Sequence, residues 1–416
     1  MLYKLLNILF RVAQVIYFKK VEIDGLENIP FNEPNLLIAN HPSAFKDPIL
    51  IGANLSSPIF FLAAEEFMGG QIMTKFLQNK LNMIPIYRPS NRPDEIHKNN
   101  DSFDKCYEAL NESKSILIFA EGHSETQSWL DPLKTGSARI AIESLNRFPN
   151  LKKVNIIPVG LNYSNPHQFR STLYLKIGEI IKVTRNQKNN KNNLTSLAYE
   201  NLKQSVNGLD KDEAYWQSVL VQIVKIRLDR SLKEEYLLIS RLISELKIRK
   251  DTSLKIKYKI SLLDLELTKK DKTINEFIKS KTSIKINYLT TLLLMISFIP
   301  GFIVNFIPII IVVFIVKNKQ FKYSFEGSMY FAFGTLSILL WNLLIVVVFS
   351  FSLGWLSLLL PFGILLSGWL TLKCRDNLLP IFQSYKLKKV LNDDDKLNDI
   401  YSSIETLLVP ILIMIK

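Results

Sequence analysis

The sequence predicts an α/β domain, then a charged helical region, then C-terminal transmembrane helices, and three observations carry that prediction. Between residues 21 and 185, short apolar runs of strand length alternate with segments of helical pattern, as in an α/β layer structure. From about 195 to 282 the chain is charged and helical in its periodicity, without residues of evident chemical purpose, and reads as a connector. No charged residue occurs from Tyr288 to Val316, nor from Ser328 to Leu372, and both stretches exceed the roughly 20 residues that cross a bilayer.

Residues 1–20 form the first element. In Met1 to Phe18, Lys4, Asn7, Arg11 and Gln14 recur every three or four residues, gathering the polar groups into one stripe of an otherwise apolar helix, as expected of a helix lying in the membrane interface. Lys19-Lys20 follows where a signal peptide would carry small residues, so cleavage is not expected. Strands are predicted at Asn35 to Ala39, Asn82 to Arg88, Ser115 to Phe119 and Asn155 to Tyr163, with helices at Asp94 to Glu112 and Gly136 to Asn146. Pro158 inside the last strand points to an edge, a bulge or a strand end. The polar run from Asn186 to Asn193 reads as a linker or surface loop, and Tyr215 to Ile248 as a helical hairpin. Residues 286–374 are read as three or four membrane segments. The first stretch is either one tilted helix or two short limbs folded at Pro300-Gly301; the second is long enough for two spans turning near Ser350 to Gly354. Basic residues at Lys281, Lys285, Lys317, Lys319, Lys322, Lys373 and Arg375 flank these ends and favour hairpins opening to one face. Residues 375–416 form a polar tail that closes with an apolar run from Leu407 to Ile415, too short to span and expected to be packed or interfacial.

The chemistry sits where strands end. After the strand at Asn35 to Ala39 comes Asn40-His41-Pro42-Ser43-Ala44-Phe45-Lys46-Asp47-Pro48, which places an imidazole and a carboxylate six positions apart. Six positions are about 600° of helix, so His41 and Asp47 do not share a helical face and a turn has to bring them together. A histidine oriented by an acid is what general-base attack by a hydroxyl requires. Arg88 ends the strand that begins at Asn82, where a guanidinium suits a phosphate. Glu121 and Gly122 end the strand from Ser115, and Lys134 and Arg139 flank a loop of small residues that opens a helix. His123 lies beside the acidic block with only Glu121 and Glu125 as carboxylates at comparable spacing, and receives no role; His97 and His167 read as surface residues.

These blocks resemble the glycerolipid acyltransferase family, the glycerol-3-phosphate and 1-acylglycerol-3-phosphate acyltransferases, over roughly residues 20 to 180. The matching positions are His41 with Asp47, Arg88, Phe119-Ala120-Glu121-Gly122, and Ile157-Pro158-Val159. Five residues separate His41 from Asp47 where the family usually has four. With His-Pro-Ser and Asp-Pro around it, this spacing looks like a branch that includes glycerol-3-phosphate and dihydroxyacetone-phosphate acyltransferases. Ala120 stands in place of the usual proline, and His123-Ser124 in place of Thr-Arg. The resemblance implies a mixed sheet flanked by helices, His41 as base and Asp47 as its orienting acid. It also implies that Arg88, assisted by Lys134 or Arg139, holds an acceptor phosphate, and that Glu121 and Gly122 shape the acceptor pocket. The acyl donor would be acyl-CoA or acyl carrier protein, with no cofactor. Other lipid acceptors, or a non-catalytic scaffold retaining the fold, are the alternatives.

Composition agrees with a lipid partner. The 416 residues carry 52 Lys and Arg against 38 Asp and Glu, a formal net charge of +14, which attracts anionic headgroups and acidic substrates. Nucleic acid, the other usual partner of such charge, is set aside because of the four motif blocks and two apolar stretches. Cys106 and Cys374 offer no disulfide framework, and no spaced metal-ligand motif occurs. The expectation is an integral membrane enzyme whose catalytic domain lies on the cytoplasmic face, in a bacterial inner membrane or the endoplasmic reticulum.

Overall fold

The structure, a computed structural model, describes residues 2–88, 91–185, 190–225, 230–281, 288–391 and 394–415. The chain divides into two compact units, one of Met1–Gly208 with Lys319–Thr335, the other of Leu209–Asn318 with Leu336–Lys416.

The first unit is a mixed sheet between helices. In chain order it runs α1 (Leu2–Tyr17), β1 (Lys20–Asp24), β2 (Asn35–Ala39), α2 (Lys46–Asn54), β3 (Ile59–Ala64), α3 (Gln71–Leu81), β4 (Met83–Ile86), α4 (Asn99–Asn111), β5 (Ser115–Phe119), α5 (Gly136–Arg147), β6 (Lys153–Tyr163), β7 (Thr172–Ile177), β8 (Ile181–Thr184) and α6 (Lys191–Lys203). The strand order is β1-β7-β6-β2-β5-β3-β4, with β8 also on β6. Strands β6, β2, β5, β3 and β4 are mutually parallel, whereas β7 and β8 run antiparallel to β6. Central β2 has the uninterrupted apolar sequence of a strand covered on both faces, and Leu36, Leu37, Ile38 and Ala39 are fully buried. Pro158 sits inside β6 rather than at its end. It lies where the β6 edge passes from β8, last paired at Ile156, to β7, first paired at Val159, a gap that tolerates a missing N–H.

Two sequence expectations shift here. The run 186–193 is only partly within the described residues; from Lys191 it is already helical, and α6 buries Leu194, Ala198 and Leu202 in the sheet's core cluster, so the domain boundary expected near 185–195 falls after Gly208. In α1 two residues of the polar stripe bond the protein: Arg11 Nε donates to Ala53 O at 2.6 Å, and the Gln14 and Asn54 amides bond each other. Leu5, Ile8, Val12 and Val15 point outward instead. Apolar-face-out is what an interfacial helix presents to lipid.

The second unit contains α7 (Ala214–Lys225), α8 (Leu232–Ile248), α9 (Lys250–Thr268) and α10 (Ile274–Ser280). It continues with α11 (Tyr288–Asn318), most of α12 (Tyr323–Leu353), α13 (Leu360–Leu391) and α14 (Asp395–Ile415). Helix α14 buries Leu397, Tyr401, Ile404, Leu408 and Ile411 in a shared core with Trp216, Leu242, Ile260 and Phe277, so the expected tail is a packed part of this helical bundle. Phe298–Asn318, Tyr323–Phe382 and Asp395–Ile415 are long and apolar enough to cross a membrane. The first apolar stretch is one continuous helix, with Pro300 and Pro308 inside it, and the second turns through Gly354–Leu359. Pro308 cannot supply the N–H that Val304 O would accept in a helix, and Trp341 Nε1 donates to that oxygen at 2.9 Å. A Cβ on Gly301 would meet Thr371 Oγ1 at 2.2 Å and Ser367 O at 2.5 Å, so glycine here permits α11 and α13 to touch.

Candidate active site

Parallel pairing of β2 with β5 and β6 delivers their C-terminal ends to one edge of the sheet. Ala39 lies opposite both Phe119 and Val159, so His41 and Glu121 leave the sheet side by side. Asn40 extends that register with its side chain, accepting from Leu161 N at 2.8 Å and donating to Leu161 O at 3.1 Å. The chain then turns through Pro42-Ser43-Ala44, with Ala44 at φ 40°, a left-handed conformation unusual for alanine, and enters α2 at Lys46. That turn brings Asp47, in the first turn of α2, back beneath His41.

His41 Nδ1 lies 2.9 Å from Asp47 Oδ2. Asp47 is fully buried; its Oδ2 also accepts from Ser43 N at 2.7 Å, and its Oδ1 accepts from the Tyr163 hydroxyl at 2.7 Å. Three donors keep the buried carboxylate satisfied as an anion. An anionic partner on Nδ1 fixes the proton there and leaves Nε2 as the basic nitrogen. The imidazole stacks on the Phe119 ring, with centroids 3.8 Å apart and planes at 12°, so its plane is set as well as its tautomer.

Glu121 is buried, and its two oxygens accept from His41 N at 3.2 Å and Asp131 N at 3.1 Å. Burial pushes its carboxyl above the ordinary range, and the two backbone N–H groups draw it back. Glu121 therefore ties the base of the His41 turn to the loop at Asp131. Gly122, at φ +79°, lies under Lys134, whose Nζ would be 2.5 Å from a Cβ at that position. Ser124, which takes the place of the family's arginine, bridges the turn: Oγ accepts from Ala44 N at 2.8 Å and donates to His41 O at 2.9 Å. Thr126 Oγ1 donates to Pro42 O at 3.0 Å.

The remaining residues are placed differently. Arg88 follows β4, three strands from β2, so roughly 14 Å of sheet separates it from the dyad. Its Nη1 pairs with Glu66 Oε1 at 3.4 Å. The Arg139 guanidinium lies 3.8 Å over the Phe103 ring of α4, among packing residues rather than beside His41. His123 bonds Asp131 Oδ2 at 3.2 Å, a partner its local sequence does not suggest. Glu121, His123 and Asp131 bring ligand atoms within 4.8 Å of one another, but Glu121 and Asp131 already accept from backbone N–H groups and the Gln127 amide, which makes the cluster a hydrogen-bonded loop. His97 is exposed, as expected, whereas His167 is buried.

Lys46 and Tyr163 are the residues that sequence reasoning missed. Lys46 is fully buried; its Nζ donates to Pro166 O and lies 4.9 Å from the Tyr17 and Tyr163 ring centroids and 5.5 Å from Phe18. Burial lowers its pKa to about 8, and neighbouring Asp47 opposes that shift. The signal available was a lysine directly before Asp47 in an otherwise apolar helix start.

Residues 20–162 match the family model Acyltransferase. Two curated relatives from Saccharomyces cerevisiae are glycerol-3-phosphate O-acyltransferase 1, 36% identical over 81 residues (20% of this chain, 10% of the relative), and glycerol-3-phosphate O-acyltransferase 2, 34% identical over 85 residues (20% and 11%). The chain thus spans about a tenth of the length of the curated relatives it matches. Among solved structures, the 1-acyl-sn-glycerophosphate acyltransferase PlsC from Thermotoga maritima matches at 20% identity over 48% of this chain and 77% of that one, with a TM-score of 0.36.

Proposed function

We propose that this protein is a membrane-bound O-acyltransferase that moves a fatty acyl group from an acyl thioester to a hydroxyl of a glycerol phosphate. The observation that carries the reading is the His41–Asp47 pair, Nδ1 held at 2.9 Å and Nε2 left basic, inside the segment that matches the Acyltransferase family model. Nε2 takes the proton of the acceptor hydroxyl as it attacks the thioester carbonyl. Asp47 stabilises the imidazolium, which returns the proton to the departing thiolate, so no covalent acyl-enzyme is needed. The acceptors are glycerol 3-phosphate, dihydroxyacetone phosphate or 1-acylglycerol 3-phosphate, the donors acyl-CoA or acyl carrier protein, and the catalytic unit faces the cytoplasm. The names of the two yeast relatives support a glycerol phosphate acceptor.

One observation favours a second reading. Arg88 is engaged by Glu66, and serine occupies the place of the family's arginine, which reduces the positive charge free for a phosphate. A lysophospholipid or aminolipid acceptor fits that arrangement. Incubating the full chain in detergent with labelled acyl donors and a panel of acceptors, with mass spectrometry of the products, decides between the two. The expected product is an acylated glycerol phosphate. His41→Ala should abolish its formation, and Arg88→Ala should raise the acceptor KM about tenfold with little change in kcat. An unchanged KM in Arg88→Ala supports the second reading, and full activity in His41→Ala rejects both.

A further inference from the structure

The turn that carries the dyad is held from a direction the acyltransferase motifs do not include. Lys319–Thr335 folds as part of the first unit, although the helix it begins, α12, continues as one of the apolar segments long enough to cross a membrane. Within that segment Ser328 is fully buried, and its Oγ accepts from Lys46 N at 3.1 Å while donating to Ser43 O at 2.6 Å. The hydroxyl is thus wedged between the two ends of the Ser43–Lys46 turn, which sets where α2 begins and so where Asp47 lies in its first turn. Within the turn Lys46 N also donates to Ser43 O and Asp47 N to Ala44 O, both at 3.2 Å, and Ala44 holds a left-handed conformation, so the Ser328 hydroxyl reinforces two long internal bonds.

Neighbouring groups fix the segment in that position. The Tyr17 hydroxyl donates to Gly327 O at 3.1 Å. A Cβ on Gly327 would meet Pro166 O at 2.5 Å and His167 Cα at 2.8 Å, so only glycine permits this approach. The Tyr323 ring lies 4.2 Å from the His167 ring, and Phe331 packs on Tyr17 at 5.3 Å. Pro166 O in turn accepts from Lys46 Nζ, and Ser43 Oγ donates to it at 3.3 Å. Both loops around the dyad therefore rest on the first turns of α12.

We propose that Ser328 is a positioning residue for acyl transfer: the start of an apolar helix sets the His41–Asp47 geometry through the Ser43–Lys46 turn, making the competence of the dyad depend on the seating of that helix. The consequence rests on the acyl-transfer reading, and the test separates the two. In the full chain in detergent, Ser328→Ala removes both hydrogen bonds; kcat should fall about tenfold or more while the KM for donor and acceptor changes less than about twofold. Ser328→Thr, which keeps the hydroxyl, should restore most of kcat. A second readout needs no turnover. The sequence has four histidines, so 15N-histidine labelling gives few ring signals, and loss of one set in His41→Ala assigns the dyad. Ser328→Ala should shift the His41 ring resonances while its thermal midpoint stays near that of the unsubstituted protein. Unmoved His41 resonances in Ser328→Ala overturn the proposal whatever the activity. Absence of acyl transfer in the unsubstituted protein overturns only the functional reading.

Discussion

Tyr163 closes the hydrogen-bond shell of Asp47 from a strand that ends four residues beyond Val159, and its loss isolates one contribution to the dyad. A hydrogen bond to a charged group is worth about 1.5–3 kcal/mol. If that support is felt in the transition state, Tyr163→Phe should lower kcat roughly tenfold or more, with circular dichroism unchanged and KM little affected. His167 makes a separate prediction. Thr126 Oγ1 spends its proton on Pro42 O, so its 2.6 Å contact to His167 Nε2 requires that nitrogen to be the donor. Nδ1 is then the bare nitrogen, buried and without a partner among the described residues, with cationic Lys46 nearby. Burial first, and Lys46 second, lower the His167 pKa from 6.5 to about 4. Between those values the unfolded chain holds a proton that the folded chain refuses. Stability is therefore complete above pH 6.5, falls as pH drops through the window, and levels off below about pH 4. His167→Gln should flatten the fall in thermal midpoint measured between those pH values.

At the scale of elements, the prolines of α11 show how helices tolerate a missing donor inside an apolar environment. Trp341 of α12 supplies the hydrogen bond to Val304 O that Pro308 withholds, tying two helices at the point where one is weakened. Trp341→Phe keeps most of the apolar contact and leaves the carbonyl bare. The cost should be about 1 kcal/mol, near the value of interhelical hydrogen bonds in membranes, read as a lower midpoint in detergent unfolding. The same logic explains α1. Two of its polar residues, Arg11 and Gln14, bond α2, Arg170 Nη1 donates to Ile16 O at 2.9 Å near its C-terminal end, and Leu5, Ile8, Val12 and Val15 face outward. An isolated reading of the helix shows the moment but not its direction.

At the scale of the molecule, two folded units share a chain that passes between them three times, at Gly208–Leu209, at Asn318–Lys319 and, inside α12, at Thr335–Leu336. The apolar α11, α12 and α13 predict that the full chain stays in the pellet after alkaline carbonate extraction of membranes; release into the supernatant would contradict a spanning role. The resemblance carried by local motifs was readable because a catalytic strand end is written in consecutive residues. His41, Asp47, Glu121 and Gly122 each follow a buried strand and converge, since parallel strands deliver their ends to one edge. Arg88 follows a strand and Arg139 lies in the first turn of α5, yet one is paired with Glu66 and the other lies on Phe103, because partners from other elements decide what a cation touches.

The sequence by itself determined the apolar stretches, the alternation of strands and helices, and the pairing of an imidazole with an acid across a turn, because burial demand and local backbone geometry act over a few residues. Only the tertiary structure decided that Lys46 is caged, that Tyr163 and Ser328 support the turn, and that α14 closes a helical core. Those contacts join residues as many as 285 positions apart, and no local periodicity encodes such a distance.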